Sequence, residues 1–283
     1  MKCLGVDEFK DTQKPSVKSG FIELDKITHG WENGNLIVIT GRPAMGKTSF
    51  GISLLRNIAV KNKIPVAFFS LEMSVGHFMS RFVSAVSGIE SSKISAYKRG
   101  DSMALNEMEQ NKLNEAEKQI DIAPVYLDDT PALSIQALQK KAMRLASDFQ
   151  IKLIVIDYLQ LMNMGGIRYK DMNEELTVIV RSLKILAKDL NIPVIVLSSC
   201  NRGEAKTDGG RPQLHDLSES IEQDADVICF INRPERYRFY IDEEGNDMHG
   251  MAEIIVAKNR NGSKGRAFLR CFLQYSRFYN RRS

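Results

Sequence analysis

Residues that form zinc sites are scarce in this sequence. The 283 residues include four cysteines and four histidines. Cys3, Cys200, Cys229 and Cys271 lie far apart, and neither the cysteines nor the histidines show the short paired spacing of zinc ligands. We therefore expect reduced thiols that are mostly packed in the interior.

Long hydrophobic runs are also missing. No stretch approaches the ~18 consecutive apolar residues that a membrane span requires. The first sixteen residues, MKCLGVDEFKDTQKPS, are polar and lack the apolar segment of a secretory signal. These absences predict a cytoplasmic protein without a membrane partner. The net charge of +4 permits contact with nucleic acid but does not by itself indicate it.

The composition is that of a globular protein, with 43% hydrophobic and 26% charged residues. A chain of this length can bury a full core. Residues 1–18 carry alternating charge and little apolar periodicity, so we interpret them as a flexible tail or the remnant of a linker. Residues 19–283 are expected to form one domain.

Apolar, strand-like runs alternate with segments of helical periodicity along this domain. Strands that are buried on both faces and separated by helices predict an α/β fold with a mostly parallel central sheet flanked by helices. Near the end of the chain, residues 252–257 and 267–273 flank a turn and predict an antiparallel hairpin. The predicted strands of the parallel sheet lie at 35–40, 65–71, 153–156, 193–198 and 225–231, and the predicted helices follow Gly46 or lie at 75–87 and 174–190.

Three segments fit this alternation less well. Residues 91–120 are polar and favour a helical insertion at the surface. Residues 165–173 and 202–211 are charged, glycine-containing loops that are long for simple connections. Loops of this kind on a rigid scaffold often carry function.

A phosphate-binding loop is the most specific motif. Residues 41–48 fit G-x-x-x-x-G-K-[ST] and lie between a predicted buried strand and a predicted helix, as the motif requires. A chance glycine-rich turn is the alternative, and this context disfavours it. Backbone N–H groups of such a loop surround the phosphates of ATP, and the lysine supplies charge to them. The predicted nucleotide-binding residues are Gly41, Arg42, Pro43, Ala44, Met45, Gly46, Lys47, Thr48 and Ser49.

Two carboxylates complete a predicted hydrolytic site. Asp157 ends the apolar run 153–156 and would hold Mg²⁺ together with the Thr48 hydroxyl. Glu72 follows another predicted strand and would orient and deprotonate the attacking water. An acid that stabilises the N-terminus of the next helix is an equally good interpretation of Glu72 from its position alone.

Several longer segments, in this order and spacing, resemble the C-terminal RecA-like motor domain of DnaB-type hexameric replicative DNA helicases. The resemblance implies a RecA-like P-loop ATPase core, ATP and Mg²⁺ as cofactors, and a homohexameric ring around single-stranded DNA. It also implies primase and a helicase loader as partners, through parts that precede this motor in the family. The segments are GFIELDKITHGWENGNLIVITGRPAMGKT, FFSLEM, LIVIDYLQLM, RPQLHDLSESIEQDADVICFINRPE, AEIIVAKNRNG and YSRFYN.

The resemblance assigns roles to particular residues. It makes Glu72 the catalytic glutamate, and it makes Lys258 and Arg260 the pair that reaches into a neighbouring subunit's nucleotide site, with Arg260 as the arginine finger. A guanidinium supplied in trans would neutralise charge on the transferred phosphoryl group. Basic residues that merely decorate a hairpin turn are the alternative interpretation.

The sequence departs from the family pattern where DNA would be sensed. Ser199 occupies the position of a glutamine that senses the γ-phosphate. Ser218 occupies the position of an arginine in a loop that is about two residues shorter. The loops would contact the DNA backbone without sequence preference, although ordinary solvated charge would look the same. The predicted DNA-binding residues are Arg168, Lys170, Arg202, Arg211, Ser218 and Glu219.

Three functional hypotheses follow. The first is an ATP-dependent DNA helicase motor that acts in replication, translocates on single-stranded DNA and unwinds duplex. The second is a DnaB-like ATPase with weakened DNA coupling that acts as a nucleotide-switched assembly factor. The third is another RecA-like ATPase that forms filaments, which an open rather than closed assembly would distinguish. For residues 275–282, we expect the first half to pack on the core and the arginines to form a tail.

Overall fold

The structure, a computed structural model, describes residues 16–166, 169, 171–200, 211–242 and 244–281. Most of the predicted tail lies outside these residues. Ser16–Val17 forms a short strand, β1, that pairs antiparallel with β2, Trp31–Glu32. Val17 is buried in the core. The folded domain therefore includes residues 16–18, slightly ahead of the predicted boundary.

The main sheet has nine strands within the described residues, in the order β11-β10-β9-β8-β3-β7-β6-β4-β5. The six strands from β8 to β5 in this order are parallel, and β9, β10 and β11 extend the sheet antiparallel from β8. The bounds are β3 Leu36–Gly41, β4 Val66–Ser70, β5 Val125–Asp128, β6 Leu153–Asp157, β7 Val194–Ser199, β8 Val227–Asn232, β9 Met251–Asn259, β10 Gly265–Phe272 and β11 Arg277–Asn280.

Side chains on the two faces of the sheet enter separate hydrophobic clusters. In β3, Ile37 and Ile39 belong to one cluster, whereas Leu36 and Val38 belong to the other. This alternation follows from the two-residue period of a strand and explains why β3 is apolar from Leu36 to Ile39. The helices are α1 Ile22–Thr28, α2 Lys47–Leu55, α3 Val75–Ser87, α4 Ser91–Lys98, α5 Glu107–Asp121, α6 Ile135–Phe149, α7 Met172–Leu190 and α8 Glu219–Asp224.

The predicted α/β architecture is confirmed, including the helical nature of the polar stretch 91–120, which forms α4 and α5. Sequence periodicity did not assign β5 and α6. β5 is half-buried at the edge of the sheet and has four residues, so it leaves a weak apolar signal. In α6, only Ile135, Leu138 and Ala142 are fully buried.

The C-terminal hairpin is confirmed as β9 and β10, and a third strand, β11, joins it. Phe278 packs edge-on against Phe50, with 5.3 Å between ring centroids. The first half of residues 275–282 packs on the core as expected, and this half includes Arg277. Its guanidinium is buried and donates hydrogen bonds to the backbone carbonyls of Ala85 and Val86. These bonds satisfy carbonyls near the C-terminus of α3, where cations are favoured.

In the part of the chain that the structure describes, no helix is long and apolar enough to cross a bilayer. The same residues include no cluster of three or more histidine, cysteine or acidic side chains that could hold a metal. Cys200, Cys229 and Cys271 are free thiols and are buried, as predicted.

Candidate nucleotide site

The phosphate loop connects the end of β3 to the start of α2. Gly46 adopts a left-handed conformation with φ of 93°. A Cβ atom at this position would lie 2.8 Å from Leu273 Cδ2, and one at Gly41 would lie 2.8 Å from the Ile231 carbonyl oxygen. Gly41 is therefore required by close packing against the backbone, and Gly46 by its backbone conformation, because Leu273 Cδ2 is the end of a flexible side chain. The loop brings backbone N–H groups to the N-terminus of α2, where anions are favoured.

Lys47 lies at the first position of α2, and its ammonium group reaches back over the loop. Nζ donates hydrogen bonds to the carbonyl oxygens of Gly41 at 3.0 Å and Arg42 at 3.3 Å. Burial lowers the pKa of Lys47, while Cys200, Asp157 and Glu72 oppose that effect. No ion pair joins Lys47 to a carboxylate among the described residues, so its charge is available to a phosphate.

A cavity of about 400 Å³ opens beside this loop. Phosphate-loop residues form one wall, and groups from the carboxyl ends of β4, β6 and β7 form another. In a parallel sheet this edge is where ligands bind. The lining residues are Pro43, Ala44, Gly46, Lys47, Thr48, Ser49, Glu72, Arg81, Asp157, Tyr158, Ser199 and Leu273.

Asp157 and Thr48 fit a divalent cation. Asp157 ends β6 with only 2% of its surface exposed, and its Oδ2 atom has no hydrogen-bond partner among the described residues. Burial raises the pKa of Asp157 to about 6, although a hydrogen bond with Thr48 opposes the rise. A buried carboxylate oxygen without a partner, in a residue that lines the cavity beside the Thr48 hydroxyl, has the oxygen chemistry that Mg²⁺ prefers.

Glu72 follows β4 and lines the same cavity with an exposed side chain. The alternative interpretation made it the acid that stabilises the N-terminus of α3. Asp129 occupies that place instead, because its Oδ2 accepts a hydrogen bond from the Val75 backbone N–H at 2.8 Å. No acidic residue lies in the first turn of α3. This arrangement favours a role for Glu72 in the cavity.

Arg81 is a cavity residue that sequence reasoning missed. It lies on α3, and its guanidinium donates to Ser49 Oγ at 2.8 Å and to Ser276 Oγ at 3.1 Å. Burial lowers the pKa of Arg81, while Asp157 and Glu72 oppose that effect. A signal was present: Arg81 occurs at helical spacing between the buried residues Phe78 and Ala85, where a charge requires a polar partner.

Lys258 and Arg260 lie near the amino-terminal ends of the parallel strands, whereas the phosphate loop lies at their carboxyl ends. The backbone N–H of Arg260 donates to the Asp226 carbonyl at 2.9 Å, and the backbone N–H of Asp226 donates to the Leu36 carbonyl at 2.9 Å. Arg260 is thus placed beside the start of β3, whereas Gly41 ends that strand. Five strand residues separate the two ends by about 16 Å. Lys258 and Arg260 therefore do not contribute to the nucleotide cavity of their own chain.

The predicted DNA-binding residues are only partly described. Arg168, Lys170 and Arg202 lie outside the described residues. Arg211 Nε lies 3.1 Å from Glu253 Oε2 and is engaged within the protein.

Ser218 and Glu219 lie at the N-terminus of α8. Ser218 is the residue immediately before the helix, and its Oγ lies 3.2 Å from Ser220 Oγ. Glu219 is exposed and accepts a hydrogen bond from Gln223 at 2.8 Å. DNA contact by this set stays a prediction.

Ser199 lies at the end of β7, paired with Gly41, and its side chain lines the phosphate cavity. It also lines a second cavity of about 230 Å³, shared with Ser218. The Gln160 side chain bridges this position, because Nε2 donates to the Ser199 carbonyl at 3.1 Å and Oε1 accepts from the Ser199 N–H at 3.3 Å. Ser199 therefore lies between the phosphate cavity and the second cavity.

A larger cavity, of about 600 Å³, lies away from this edge of the sheet. It is an open groove between the end of α3 and α5, lined by residues such as Met108 and Asn111. The groove does not include the phosphate loop or either carboxylate, so volume alone does not identify the functional site.

The doubly covered parallel sheet, with a phosphate loop after β3 and a carboxylate at the end of β6, defines a RecA-like P-loop nucleotide-binding domain. Within this class, the chain belongs to the family described as the DnaB-like helicase C terminal domain, which matches residues 16–280.

Similar proteins agree with this assignment. The chain is 39% identical over 267 residues to a probable replicative DNA helicase of Trieres chinensis, covering 93% of this chain and 57% of that protein. It is 35% identical over 273 residues to the replicative DNA helicase DnaB of Geobacillus stearothermophilus, covering 96% of this chain and 58% of that protein. The chain therefore spans little more than half the length of these relatives.

Solved structures give the same result at the level of the fold. A structure described as an ATPase domain superposes with a TM-score of 0.85 at 30% identity, covering 98% of this chain and 95% of that one. A DnaB-like replicative helicase, described with its interactions with primase, also has a TM-score of 0.85 at 30% identity. In that case the match covers 98% of this chain and 66% of the other.

Proposed function

We propose that this chain is the ATP-hydrolysing motor of a replicative DNA helicase, which translocates on single-stranded DNA as a homohexameric ring and unwinds duplex. The proposal rests on the family, on the phosphate cavity and above all on the placement of Arg260. The same observations bear on the second and third hypotheses from the sequence.

The cavity contains the groups that this chain itself contributes to the hydrolysis of ATP. Lys47 and the N–H groups at the start of α2 bind the β- and γ-phosphates and stabilise the charge that develops on them. Glu72 orients the attacking water and accepts its proton. Arg81 adds a second positive charge to the cavity wall, opposite Asp157.

Thr48 and Asp157 would hold Mg²⁺. Bound there, the ion would neutralise charge on the phosphate oxygens of the nucleotide. Asp157 must give up its proton to bind a cation, so its raised pKa couples metal binding to pH.

The location of Arg260 carries the proposal for an oligomer. A phosphoryl-transfer site of this class is completed by an arginine, and Arg260 lies about 16 Å of strand away from its own phosphate loop. Its side chain is 44% exposed and accessible to a neighbouring molecule. A ring or filament of identical copies, joined head to tail, would place the surface that carries Arg260 in one subunit against the phosphate cavity of the next.

DNA would be contacted by the predicted loop residues and by the N-terminus of α8. Ser199 is the position where the state of the nucleotide would reach these loops, since it lines both cavities. Hydrolysis at successive subunit interfaces would then move the loops along one strand. Primase and a helicase loader are partners that we propose for the longer protein, of which this chain would be the motor.

Weakened DNA coupling is the second candidate, and Ser199 is the observation that favours it. The serine side chain is short, and Gln160 already occupies the backbone groups around it. A chain of this kind would hydrolyse ATP at a rate that DNA does not change and would act as a nucleotide-switched assembly factor.

One experiment separates the candidates. We would measure steady-state ATP hydrolysis with and without single-stranded DNA across a salt series, using Lys47→Ala as the blank. The helicase motor predicts stimulation by DNA that fades with salt, because phosphate contacts release counterions. Flat hydrolysis in a preparation shown to be hexameric would support the assembly factor. Open filaments in electron micrographs would support the third hypothesis instead.

A further inference from the structure

The side chains of Lys258 and Arg260 rest on the C-terminal end of α8. Lys258 Nζ donates hydrogen bonds to the carbonyl oxygens of Glu222 and Gln223, and Arg260 Nη2 donates to the Gln223 carbonyl. Cations are favoured at a helix C-terminus because the last carbonyls have no partner in the helix. Both side chains are therefore held in a defined place on the outside of the domain.

Asp226 also holds Arg260, through its carboxylate. It lies between α8 and β8 and is only 5% exposed. Its Oδ2 accepts hydrogen bonds from the Leu36 N–H at 2.8 Å and from Lys184 Nζ at 2.5 Å. Its Oδ1 faces Arg260 Nη1 at 3.4 Å. The carboxylate is thus fixed by β3 and α7 on one side and points its second oxygen at the guanidinium on the other.

The main chains of Asp226 and Arg260 are also hydrogen-bonded to each other. The N–H of Arg260 donates to the carbonyl of Asp226, so one residue binds both the main chain and the side chain of Arg260. A free arginine side chain has many rotamers, and each one that is excluded beforehand lowers the entropy lost on binding a phosphate. A buried carboxylate fixed by two other groups is well suited to this purpose.

We infer that Asp226 is the positioning residue of Arg260, which it holds ready for the nucleotide site of a neighbouring copy. The inference rests on the proposed function, because it requires Arg260 to act in trans. It predicts that a defect at Asp226 appears in the neighbour's site and leaves the nucleotide site of the same subunit intact.

The variant to test is Asp226→Asn, which keeps the shape of the side chain and removes its charge. In a homomeric assembly we expect the rate of hydrolysis to fall about tenfold, a part of the larger loss that follows removal of an arginine finger. The affinity for nucleotide should stay within about twofold, because the phosphate loop is untouched.

Mixed assemblies provide the decisive readout. Subunits with Lys47→Ala have a defective cavity but an intact Arg260, whereas Asp226→Asn subunits have an intact cavity. Co-assembly of the two places an intact Arg260 beside an intact cavity at about a quarter of the interfaces of a random mixture. We expect hydrolysis in the mixture to exceed the sum of the two separate preparations by up to about fivefold.

Two further variants keep the result interpretable. Arg260→Ala mixed with Lys47→Ala tests the trans site itself. Asp128→Asn is a matched control, because Asp128 also pairs with a lysine, Lys141 at 2.5 Å, but lies on β5 at the far edge of the sheet. Asp128→Asn should lower the stability of the protein without lowering its rate of ATP hydrolysis.

The outcomes separate the two claims. If Arg260→Ala is rescued by mixing and Asp226→Asn is not, the defect at Asp226 lies in its own subunit and the inference is wrong while the proposed function stands. Activity of Asp226→Asn at or above that of the unmodified protein would also overturn the inference. If neither variant is rescued, Arg260 does not act in trans and both claims fail.

Discussion

Glu253 shares its carboxylate between two arginines, Arg211 and Arg266. Its side chain is 1% exposed, Oε2 lies 3.1 Å from Arg211 Nε, and Oε1 lies 3.3 Å from Arg266 Nη1. Asn232 Nδ2 donates to Oε2 at 3.1 Å. This buried charge sits on β9, the strand that leads to Lys258, and Arg211 ties the chain before α8 to it.

Glu253→Gln is predicted to lower the free energy of unfolding by about 2 to 4 kcal/mol. Removal of one partner from a buried ion pair leaves the opposite charge without compensation. Chemical denaturation, with the slope checked for two-state behaviour, measures this effect. The exposed pair of Arg144 and Asp148, 3.3 Å apart, supplies the control, since Asp148→Asn should change stability by less than about 1 kcal/mol. Equal effects of the two substitutions would refute the role of burial.

Lys47→Ala is predicted to abolish ATP hydrolysis and to weaken nucleotide binding. Arg260→Ala should lose most of the hydrolysis, on the order of 10³-fold, while it retains binding. The difference arises because Lys47 lies inside the cavity, whereas Arg260 lies near the amino-terminal end of β3, away from the cavity. Titration with a fluorescent nucleotide and steady-state hydrolysis report the two properties separately. Loss of binding in Arg260→Ala equal to that in Lys47→Ala would count against an action in trans.

Glu72→Gln is predicted to reduce hydrolysis by about 10² to 10⁴-fold with little change in stability, because a general base is removed from an exposed position. Asp129→Asn is its matched control. That carboxylate caps α3 through the Val75 N–H, so its loss should lower stability by about 1 kcal/mol and leave hydrolysis largely intact. Thermal melting and hydrolysis of both variants provide the test. A large loss of stability in Glu72→Gln would instead support a structural role at the helix.

Asp157→Asn is predicted to stabilise the protein without nucleotide at pH 7.5 while it abolishes hydrolysis. Burial raises the pKa of Asp157 from 3.8 to about 6. Below 3.8 the carboxyl is neutral in both the folded and the unfolded state, and above 6 it is ionised in both. Between these values the folded state binds more protons, so the ionised group lowers stability as pH rises. The effect at pH 7.5 is on the order of 2 to 3 kcal/mol.

Melting temperatures of the unmodified protein and of Asp157→Asn, measured from pH 4.5 to 7.5, check this prediction. The stabilisation by the asparagine should shrink as pH falls through about 6. Hydrolysis by the unmodified protein should decline over the same range, because protonated Asp157 cannot bind Mg²⁺. A constant difference in melting temperature across the range would contradict the assigned pKa.

Most of the fold could be predicted from local patterns. The apolar runs of β3, β6 and β7 are recognisable because a parallel strand covered on both faces requires apolar residues on both. The phosphate loop is recognisable because its backbone leaves no room for a side chain at Gly41 and adopts a positive φ at Gly46. β5 could not be assigned with equal ease, since its four half-buried residues leave only a weak apolar signal, whereas α6 was missed although its apolar side chains recur at helical spacing.

The sequence by itself determined the class of fold, the phosphate loop and the family, and it offered Glu72 and Asp157 as candidate site carboxylates. Each of these depends on residues close together in the chain, where spacing and side-chain type carry the physical constraint. Only the tertiary structure decided how distant residues combine. It placed Arg81 in the cavity and Asp129 rather than Glu72 at the cap of α3. It also placed Arg260 near the start of β3, away from the phosphate loop at the end of that strand. Such contacts depend on how strands and helices pack, and the spacing of residues within one segment does not determine that packing.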